Sequence, residues 1–564
     1  MALRPWMLRC SQNNVRSIRS LPSWQRHFTS HSSWSDDEAS RDHDRRAKRQ
    51  TGLVVLAIET SCDDTSVAIL ERQEHTKHIN RSSPRAAGDR HGLSHAHKVI
   101  FHEKITANND AYNGIHPLVA LESHRSNLSG LVQRALKQLR SHDQPLKELV
   151  KDDRCSIREA QADSPNDYEN APQRTPDLVA VTRGPGMRSN LAVGLDTAKG
   201  LAVAWDVPLV GVHHMQAHAL TPRLVHALES SPAASNAERE GVGLHPKFPF
   251  MSVLVSGGHT LLIDSRGLTD HALVAETQDI AIGDCLDKAA RVILPATMLK
   301  APFGRALEQF AFHTSISATT QADSLRAETQ NVVSQAGPSA PPVSVDQFEP
   351  STGYDYKPPA TRQDELEYRP TQWGWSLGPP LSESNGREKS SRRMMFSFAG
   401  LLSFVERIIK YEVGPQGNPT TEPRSFVDMQ ERQTMAREVQ RVAFEHLASR
   451  IMLFLESRPD WAGNTVVVSG GVASSRFLRH LFRSVLDARG YKHIKLSFPP
   501  VELCTDNALM IAWAGLEMFN AGYTSDLSIG PIRKWSLDPK ADDGGILGAE
   551  GWLQNGHTER SAHR

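Results

Sequence analysis

The tetrapeptide Val-Ser-Gly-Gly occurs twice in this sequence, at residues 255–258 and 468–471, and each copy ends an apolar run of strand length. A second apolar run, residues 260–263, follows the first copy. An earlier unit has the same form, with apolar runs 53–58 and 65–70 joined by a short polar turn. Such runs around a turn predict strand–turn–strand units. A unit that returns later in the chain predicts two related lobes that face one cleft.

Strand-like and helix-like segments alternate between these units. Residues 178–182 and 208–212 are apolar runs typical of strands, whereas residues 189–204 and 508–519 have the pattern of helices. The alternation predicts an α/β fold with ligands at the carboxyl ends of the strands. A chain of 564 residues also exceeds the length at which one hydrophobic core keeps growing, which again favours two lobes.

Four polar segments interrupt the pattern, and we expect them to be disordered or loosely attached. They contain few apolar runs, so they bury too little surface to offset the entropy of ordering. The segments are residues 72–98, 141–176, 222–246 and 314–393.

Charge and cysteine content exclude several classes of protein. Lys plus Arg and Asp plus Glu each number 64, so no overall field favours nucleic acid, and any such site must be a local patch. The 5 cysteines are scattered without a CxxC pair, which indicates a reducing compartment and argues against a disulfide framework or a cysteine zinc site. No run of about 18 apolar residues occurs, and we therefore predict no membrane span.

The first 35 residues differ in kind from the rest. They contain several arginines and serines and no acidic residue. This composition is typical of a mitochondrial transit peptide, and the apolar core of a secretory signal is missing. A basic tail without a targeting role is the alternative. We predict a transit peptide at residues 1–35.

Two histidines four residues apart, His214 and His218, follow the predicted strand 208–212. On a helix this spacing puts both imidazoles on one face, where they can share a metal ion. A zincin protease has the same spacing but needs Glu directly after the first histidine, and Met215 stands there. The alternative is a pair of histidines that bind no metal.

Further candidates for a functional role lie in the turns and helix starts. One of the adjacent residues Asp63 and Asp64 can act as a general base or bind a cation. The alternative is that they only form a turn at the surface. At most one of them is expected to face the cleft, since neighbouring strand residues point to opposite faces. Glycines in the two Val-Ser-Gly-Gly turns let backbone N–H groups approach phosphate, although many such pairs serve only the turn.

Acidic residues at two helix starts have a functional and a structural interpretation. Asp287 can accept hydrogen bonds from ribose hydroxyls, or it can be an acid that the helix dipole favours. Thr505 or Asp506 can cap the helix that follows. Asp506 can instead be the third ligand beside His214 and His218, because two histidines and one carboxylate leave open positions at a catalytic metal.

Six sequence blocks together resemble the family of tRNA N6-adenosine threonylcarbamoyltransferases, the TsaD-like proteins, and its mitochondrial branch most of all. The blocks span most of the apolar part of the chain in the order found in that family. They include IETSCDDTSVAIL, FPFMSVLVSGGHT and VVSGGVASSRFLR, and in numbers they are residues 58–70, 184–218, 248–260, 396–401, 467–479 and 502–515.

The resemblance implies a duplicated α/β fold of the actin-like ATPase type, also called ASKHA, with two lobes around a nucleotide cleft and long disordered insertions. It implies a first lobe at residues 52–221 and a second at residues 247–499, with the insertion at about 314–393. Residues 500–550 are then expected to return to the first lobe.

The resemblance also implies an activity. Enzymes of this family transfer a threonylcarbamoyl group from L-threonylcarbamoyl-AMP to N6 of the adenosine 3′ to the anticodon, in tRNAs that read ANN codons. AMP leaves. The alternatives are a non-catalytic or metallopeptidase-like member of the same fold, and an actin-like ATPase or sugar kinase.

Site residues follow from the same resemblance. His214, His218 and Asp506 are expected to bind one divalent metal ion per subunit, iron or zinc, and Asp63 to orient or deprotonate the attacking amine. The adenylate is expected to contact three groups of residues. These are the first glycine turn, an acidic residue on a helix with its neighbours, and a pair of serines. In chain order these substrate-binding residues are Leu254, Val255, Ser256, Gly257, Gly258, Asp287, Gly304, Glu308, Ser474 and Ser475.

Partners and location are implied as well. We expect tRNA as a partner, a separate synthase that supplies L-threonylcarbamoyl-AMP, a homodimer, no membrane contact, and the mitochondrial matrix. Two departures from the family pattern affect the adenylate site. Ser475 stands where the family often has Asn, and residues 301–305 match the family's Pro-Gly-Gly-Pro stretch only loosely.

Overall fold

The structure is a computed structural model. It describes residues 52–74, 95–109, 112, 114–142, 174–229, 244–300, 302–312, 348, 354–382 and 392–554. All of them belong to one unit, Thr51–Arg564. The predicted transit peptide lies outside the described residues.

Strands in the described part of the chain are, in chain order, β1 Leu53–Glu59, β2 Asp64–Glu74, β3 His95–Thr106, β4 Leu178–Gly184, β5 Leu209–His213, β6 Phe250–Val255, β7 Thr260–Ser265, β8 His271–Glu276, β9 Tyr411–Val413, β10 Pro419–Pro423, β11 Thr465–Ser469, β12 Lys495–Ser497, β13 Tyr523–Ser525 and β14 Trp552–Gln554.

Helices of the same residues are α1 Pro117–His142, α2 Arg188–Trp205, α3 His214–Glu229, α4 Ile282–Ile293, α5 Phe303–Phe312, α6 Arg362–Glu365, α7 Ala399–Lys410, α8 Met429–Ser457, α9 Arg476–Ala488, α10 Val501–Cys504, α11 Ala508–Asn520 and α12 Gly545–Gly548. Two short 3-10 turns, Ala296–Met298 and Gly471–Ser474, complete the set. In this part of the chain no helix has both the length and the apolar character needed to cross a bilayer.

Two sheets that share a five-strand pattern form the framework. The first has the order β14-β13-β5-β4-β1-β2-β3 and the second the order β12-β11-β6-β7-β8. In the first sheet, β1, β2 and β3 are antiparallel neighbours, and β4 and β5 run parallel to β1. In the second, β6, β7 and β8 repeat the antiparallel part, and β11 and β12 repeat the parallel part. The predicted duplicated α/β fold is confirmed.

Alternating side chains of β1 explain why this strand is apolar throughout. Val54, Leu56 and Ile58 pack with residues of α1 and α2, whereas Val55 and Ala57 pack with residues of α3 and α11. Successive strand residues point to opposite faces, so a strand that is covered on both sides loses the polar half of its pattern. The central strand of the first sheet therefore lies between two layers of helices.

Helices α3 and α11 connect the two sheets. Their buried residues share one hydrophobic core with Val55 and Ala57 of the first sheet and with Phe250 and Leu254 of the second. The opposite face of the second sheet packs in a separate core with α4, α8 and α9. Because α3 begins directly after β5, side chains at its first residues lie at the carboxyl end of that strand.

The predicted insertions are shorter than the sequence suggested. Strand β2 extends to Glu74 and β3 begins at His95, and helix α3 extends to Glu229. These residues pair or pack with neighbours, so the prediction was wrong at the segment ends. The middle parts of the first three insertions lie outside the described residues.

Residues 354–382, in the largest predicted insertion, pack against the second lobe. Trp375 is fully buried, and its indole N–H donates to Oε1 of Glu431 on α8 at 2.8 Å. The Tyr356 hydroxyl donates to Oε1 of Glu445 on the same helix at 3.0 Å. The prediction of a loose segment was wrong here, because a few large side chains anchor a stretch whose average composition is polar.

Candidate metal centre and substrate site

The two histidines of the predicted metal site lie at the start of α3. His214 is its first residue, directly after β5, and His218 follows one turn later. Their ring centroids are 4.8 Å apart, and the rings are perpendicular. Asp506 lies in the loop between α10 and α11, and its Oδ1 is 3.3 Å from Nε2 of His214 and 3.0 Å from Nε2 of His218. The three ligand atoms thus lie within 4.8 Å of one another.

The donor set fits a divalent transition metal. Two imidazole nitrogens and one carboxylate oxygen suit iron or zinc and leave positions for a substrate. Burial alone would lower the pKa of His214, but the carboxylates of Asp506 and Glu59 raise it to about 10. Burial alone would raise the pKa of Asp506, yet His214 and His218 hold it well below its usual value. The negative charges here therefore favour a cation between them.

Glu59 is a functional candidate that the sequence motifs did not reveal. It is the last residue of β1, is fully buried, and places Oε2 3.2 Å from Nδ1 of His214. The backbone N–H of Ser61 donates to Oε1 at 2.5 Å, and the hydroxyl of Thr182 donates to Oε2. A carboxylate on Nδ1 fixes the tautomer that leaves Nε2 free for a metal. The signal in the sequence was a charged residue at the end of an otherwise apolar strand.

The loop that carries Asp506 is held from several sides. Asn507 caps α11, since its Oδ1 accepts from the backbone N–H of Met510 at 3.0 Å. The alternative that Thr505 or Asp506 is the cap was therefore wrong, and Asp506 is left to face the histidines. Nζ of Lys104 on β3 donates to Oγ1 of Thr505 at 2.8 Å, which ties the loop to the first sheet.

The adjacent acids of the first turn have different surroundings. Oδ2 of Asp64 accepts from Lys104 at 3.0 Å, and Thr106 donates to Oδ1, so this carboxylate is occupied within the sheet. Oδ2 of Asp63 accepts from Nδ2 of Asn109 at 3.1 Å, a neutral donor in place of the lysine. Burial and the charge of Asp64 raise the pKa of Asp63. Asp63 is thus the acid of the pair that remains available.

The two Val-Ser-Gly-Gly turns differ in their packing. Gly257 and Gly258 are exposed, and a Cβ at either position would meet nothing within 4 Å. At Gly470, φ is 98°, and a Cβ would lie 2.3 Å from the carbonyl oxygen of Val255. Packing between β6 and β11 therefore requires Gly470, whereas the first turn leaves open space for a ligand beside its backbone.

Other residues of the first turn are engaged within the protein. Oγ of Ser256 accepts from the backbone N–H of Gly258 at 3.3 Å and of His259 at 3.0 Å. The side chains of Leu254 and Val255 are buried in the strand, so only their backbone could approach a ligand. Burial lowers the pKa of His259 to about 4, and the nearby charge of His214 acts in the same direction.

The remaining predicted substrate residues come together in two groups. A Cβ at Gly304 would lie 3.9 Å from Oδ1 of Asp287. Oε1 of Glu308 accepts from Oγ of Ser475 at 2.9 Å and from the backbone N–H of Phe477 at 2.7 Å. Ser475 also caps α9. The serine that replaces Asn is therefore already engaged inside the protein.

Comparison with known families decides the assignment. A family model described as TsaD, tRNA N6-adenosine threonylcarbamoyltransferase, matches residues 169–337 and 339–513, more than half of the chain. The chain belongs to the TsaD family. His214, His218 and Asp506 all lie within the matched residues.

Named relatives agree with the TsaD assignment. A Schizosaccharomyces pombe protein named tRNA N6-adenosine threonylcarbamoyltransferase, mitochondrial, is 32% identical over 505 residues, which is 89% of each chain. A Brucella ovis protein named tRNA N6-adenosine threonylcarbamoyltransferase is 29% identical over 86% of this chain and 96% of its own. A solved structure of T. kodakarensis HypF covers 84% of this chain and 48% of its own, with 12% identity and a TM-score of 0.32, too low for an inference.

The predicted site residues of this TsaD member thus lie in connected groups. The three predicted metal ligands meet directly, and a Cβ at Gly471 would lie 3.9 Å from Cγ2 of Thr505, beside Asp506. The hydroxyl of Ser474 donates to the carbonyl oxygen of Gly471 at 2.6 Å. The second glycine turn therefore borders the loop of the metal centre.

Proposed function

We propose that this enzyme transfers the threonylcarbamoyl group from L-threonylcarbamoyl-AMP to N6 of the adenosine 3′ to the anticodon, in tRNAs that read ANN codons. The observation that carries the proposal is the meeting of His214, His218 and Asp506 in a chain of the TsaD family. The open first glycine turn supports a site for the adenylate phosphate, since backbone N–H groups there can approach an anion.

The reaction is an acyl transfer. The exocyclic amine attacks the carbamoyl carbon, the bond from that carbon to the phosphate oxygen breaks, and AMP leaves with the electron pair. Bound iron or zinc would supply a Lewis acid for the oxygens that gain negative charge. Glu59 orients His214, and Asp63 orients the amine or accepts its proton.

The adenylate is assigned to the residues that border the first glycine turn. Ser256, Gly257 and Gly258 face the phosphate, with Leu254 and Val255 contributing through the backbone. Asp287 meets the ribose beside Gly304, and Glu308, Ser474 and Ser475 line the adenosine end. The contact between Glu308 and Ser475 supports this grouping.

The lobes of the enzyme are assigned as residues 52–221 and 247–499, with residues 500–550 returning to the first lobe. The pairing of β13 with β5, and the packing of α11 on β1, support this return. A separate synthase supplies the adenylate, and two copies of the chain act as a dimer. The acid-free N-terminus and the name of the S. pombe relative support the mitochondrial matrix as the location.

Reconstitution tests the function. Protein beginning near residue 49 is mixed with unmodified tRNA and either L-threonylcarbamoyl-AMP or its synthase with threonine, bicarbonate and ATP. We expect mass spectrometry of the digested tRNA to detect threonylcarbamoyladenosine. His214→Ala/His218→Ala should abolish product, whereas the control His226→Ala, farther along the same helix, should keep it.

Two other outcomes separate the alternatives. Metal and tRNA binding without product, with adenylate supplied directly, would indicate a non-catalytic member of the fold. Equal product from the double variant and the wild type would contradict the metal role but leave the transfer intact.

A further inference from the structure

We propose that Tyr112 and His116, which are linked to Asp63 through Asn109, and Arg188, Arg533 and Lys534, which border the turn before Asp63, form the surface that holds a single-stranded RNA loop at the site. The inference rests on the proposed function and goes further, because it assigns the residues that meet the RNA. We call this set of five residues the RNA-facing edge.

The aromatic side is tied to Asp63 by hydrogen bonds. Nδ2 of Asn109 donates to Oδ2 of Asp63 at 3.1 Å, and Oδ1 of Asn109 accepts from the backbone N–H of His116 at 3.0 Å. The backbone N–H of Tyr112 donates to the Asn109 carbonyl oxygen at 2.9 Å. The Tyr112 and His116 ring centroids are 4.2 Å apart, and 53% of Tyr112 is exposed. An accessible aromatic face thus lies beside the candidate base.

The cationic side reaches the same turn through backbone hydrogen bonds. The backbone N–H of Met187, next to Arg188, donates to the Ser61 carbonyl oxygen at 3.0 Å. The backbone N–H of Gly186 donates to the Arg533 carbonyl oxygen at 3.3 Å. Ser61 lies two residues before Asp63 and contacts His214. Both Arg188 and the 533–534 segment therefore border the turn that carries Asp63.

Arg183 holds the 533–534 segment in place. Its Nε donates to the Gly530 carbonyl oxygen at 3.1 Å, and its own carbonyl oxygen accepts from the backbone N–H of Ile532 at 2.8 Å. Arg183 is itself buried, and its guanidinium lies over the Trp535 ring. Arg533 and Lys534 are thus presented from an anchored loop rather than a free one.

The three cations are available to a ligand. Arg188, Arg533 and Lys534 are exposed, and none of them has an ion pair within the described residues. Because the chain has no net charge, such a group is a local feature and not part of a general positive field. Unpaired cations next to a reaction site favour an anionic substrate.

An aromatic face combined with cations is the chemistry that binds unpaired nucleotides. Bases of a single strand stack on aromatic rings, while Lys and Arg contact the phosphates. A double helix offers no free base face for Tyr112. A second copy of the chain is the competing occupant, since Ile115 and Leu118 beside Tyr112 are also exposed. The cations that border the turn of Asp63 favour RNA.

The test measures binding of a fluorescent anticodon stem–loop RNA by anisotropy, with full-length tRNA modification followed in the same samples. Tyr112→Ala should weaken RNA binding about tenfold, the effect of removing the stacking of one base. The matched control is Tyr368→Ala, a tyrosine with 62% exposure in the second lobe, and it should bind as the wild type does.

The dependence of RNA affinity on salt concentration tests the cations separately from the aromatic pair. Arg533→Ala/Lys534→Ala should weaken binding and reduce the slope of log affinity against log salt by about 0.7 for each phosphate that is no longer neutralised. Lys492→Ala, an exposed lysine in the second lobe, is the control. For both test variants we expect KM for tRNA to rise while kcat stays close to the wild-type value.

Three results would overturn the inference. Binding by both test variants within twofold of an active wild type would refute the edge and leave the proposed function standing. A change in oligomeric mass of Tyr112→Ala, measured by light scattering with unaltered RNA affinity, would assign the aromatic pair to contact between copies. Wild-type protein that neither binds nor modifies tRNA would refute the proposed function as well.

Discussion

Replacing Glu59 by Gln should weaken metal binding without unfolding the protein. Gln keeps the volume of the side chain, but its amide nitrogen cannot accept a hydrogen bond. Glu59 accepts from three groups in a fully buried position, namely the backbone N–H of Ser61, the hydroxyl of Thr182 and Nδ1 of His214. At least one of these bonds is broken in Glu59→Gln, and a neutral amide holds Nδ1–H of His214 less strongly than a carboxylate does.

The expected loss of metal affinity in Glu59→Gln follows from this geometry. Partners that hold a metal-ligating histidine typically account for 10- to 100-fold in metal affinity. The short distance of 3.2 Å between Oε2 and Nδ1, and the burial of both groups, place Glu59 among such partners. Each factor of ten corresponds to about 1.4 kcal/mol, so binding of Zn²⁺ or Fe²⁺ should weaken by roughly 1.4–2.8 kcal/mol.

Competition with a chelating metal indicator measures the affinity directly. Glu103→Gln is the matched control, since Glu103 is an exposed carboxylate paired with Arg134 on the surface. A thermal melt shows whether either variant still folds. A Glu59→Gln protein that is folded and binds metal within twofold of the wild type would refute the positioning role of Glu59.

Three further predictions concern other parts of the molecule. Lys104→Met should lower metal affinity roughly tenfold, because Thr505 beside the third ligand loses its tie to β3, and Lys104→Arg should restore most of it; the same competition assay decides. Burial lowers the pKa of His271 to about 4. The unfolded chain therefore binds a proton near pH 6.5, whereas the folded chain binds it only near pH 4. Stability is then lost as pH falls from 6.5 towards 4, and in denaturant titrations His271→Asn should reduce this loss by about 3 kcal/mol. Trp375→Ala should cost about 3–5 kcal/mol in the free energy of unfolding, and a cost near zero would mean that residues 354–382 are loosely attached.

Much of the central fold was predictable from sequence because its strands are buried on both faces. The segments 53–58 and 250–255 are apolar runs between polar turns, and such runs are hard to interpret as anything but inner strands. Duplication was visible because the glycine turns repeat. The 3-10 turn before α9, and the short strands β12 to β14, carry no such pattern.

Pairings between distant residues could not be predicted from the residues alone. Glu59 and His214 are 155 positions apart, and His218 and Asp506 are 288 apart. Local pattern favoured Thr505 or Asp506 as a helix cap, and only the resemblance to a family favoured Asp506 as a ligand. That Asn507 is the N-cap of α11 is seen only in the structure.

Amino-acid composition wrongly predicts disorder where a few large side chains hold a polar segment against the rest of the protein. Residues 354–382 contain charged and proline residues, which on average favour disorder. Trp375 and Tyr356 nevertheless bond to carboxylates of α8. The partners Glu431 and Glu445 lie beyond the segment, so no window of sequence that covers the insertion alone contains the signal.

The most direct test of a metal-dependent transferase measures metal content and product in the same samples. Wild type, Asp506→Asn and the control Asp526→Asn are each purified, analysed for iron and zinc by mass spectrometry, and given L-threonylcarbamoyl-AMP with unmodified tRNA. We predict that Asp506→Asn loses metal and threonylcarbamoyladenosine together, while the control keeps both. Undiminished product from an Asp506→Asn protein that contains no metal would contradict the central role of this site.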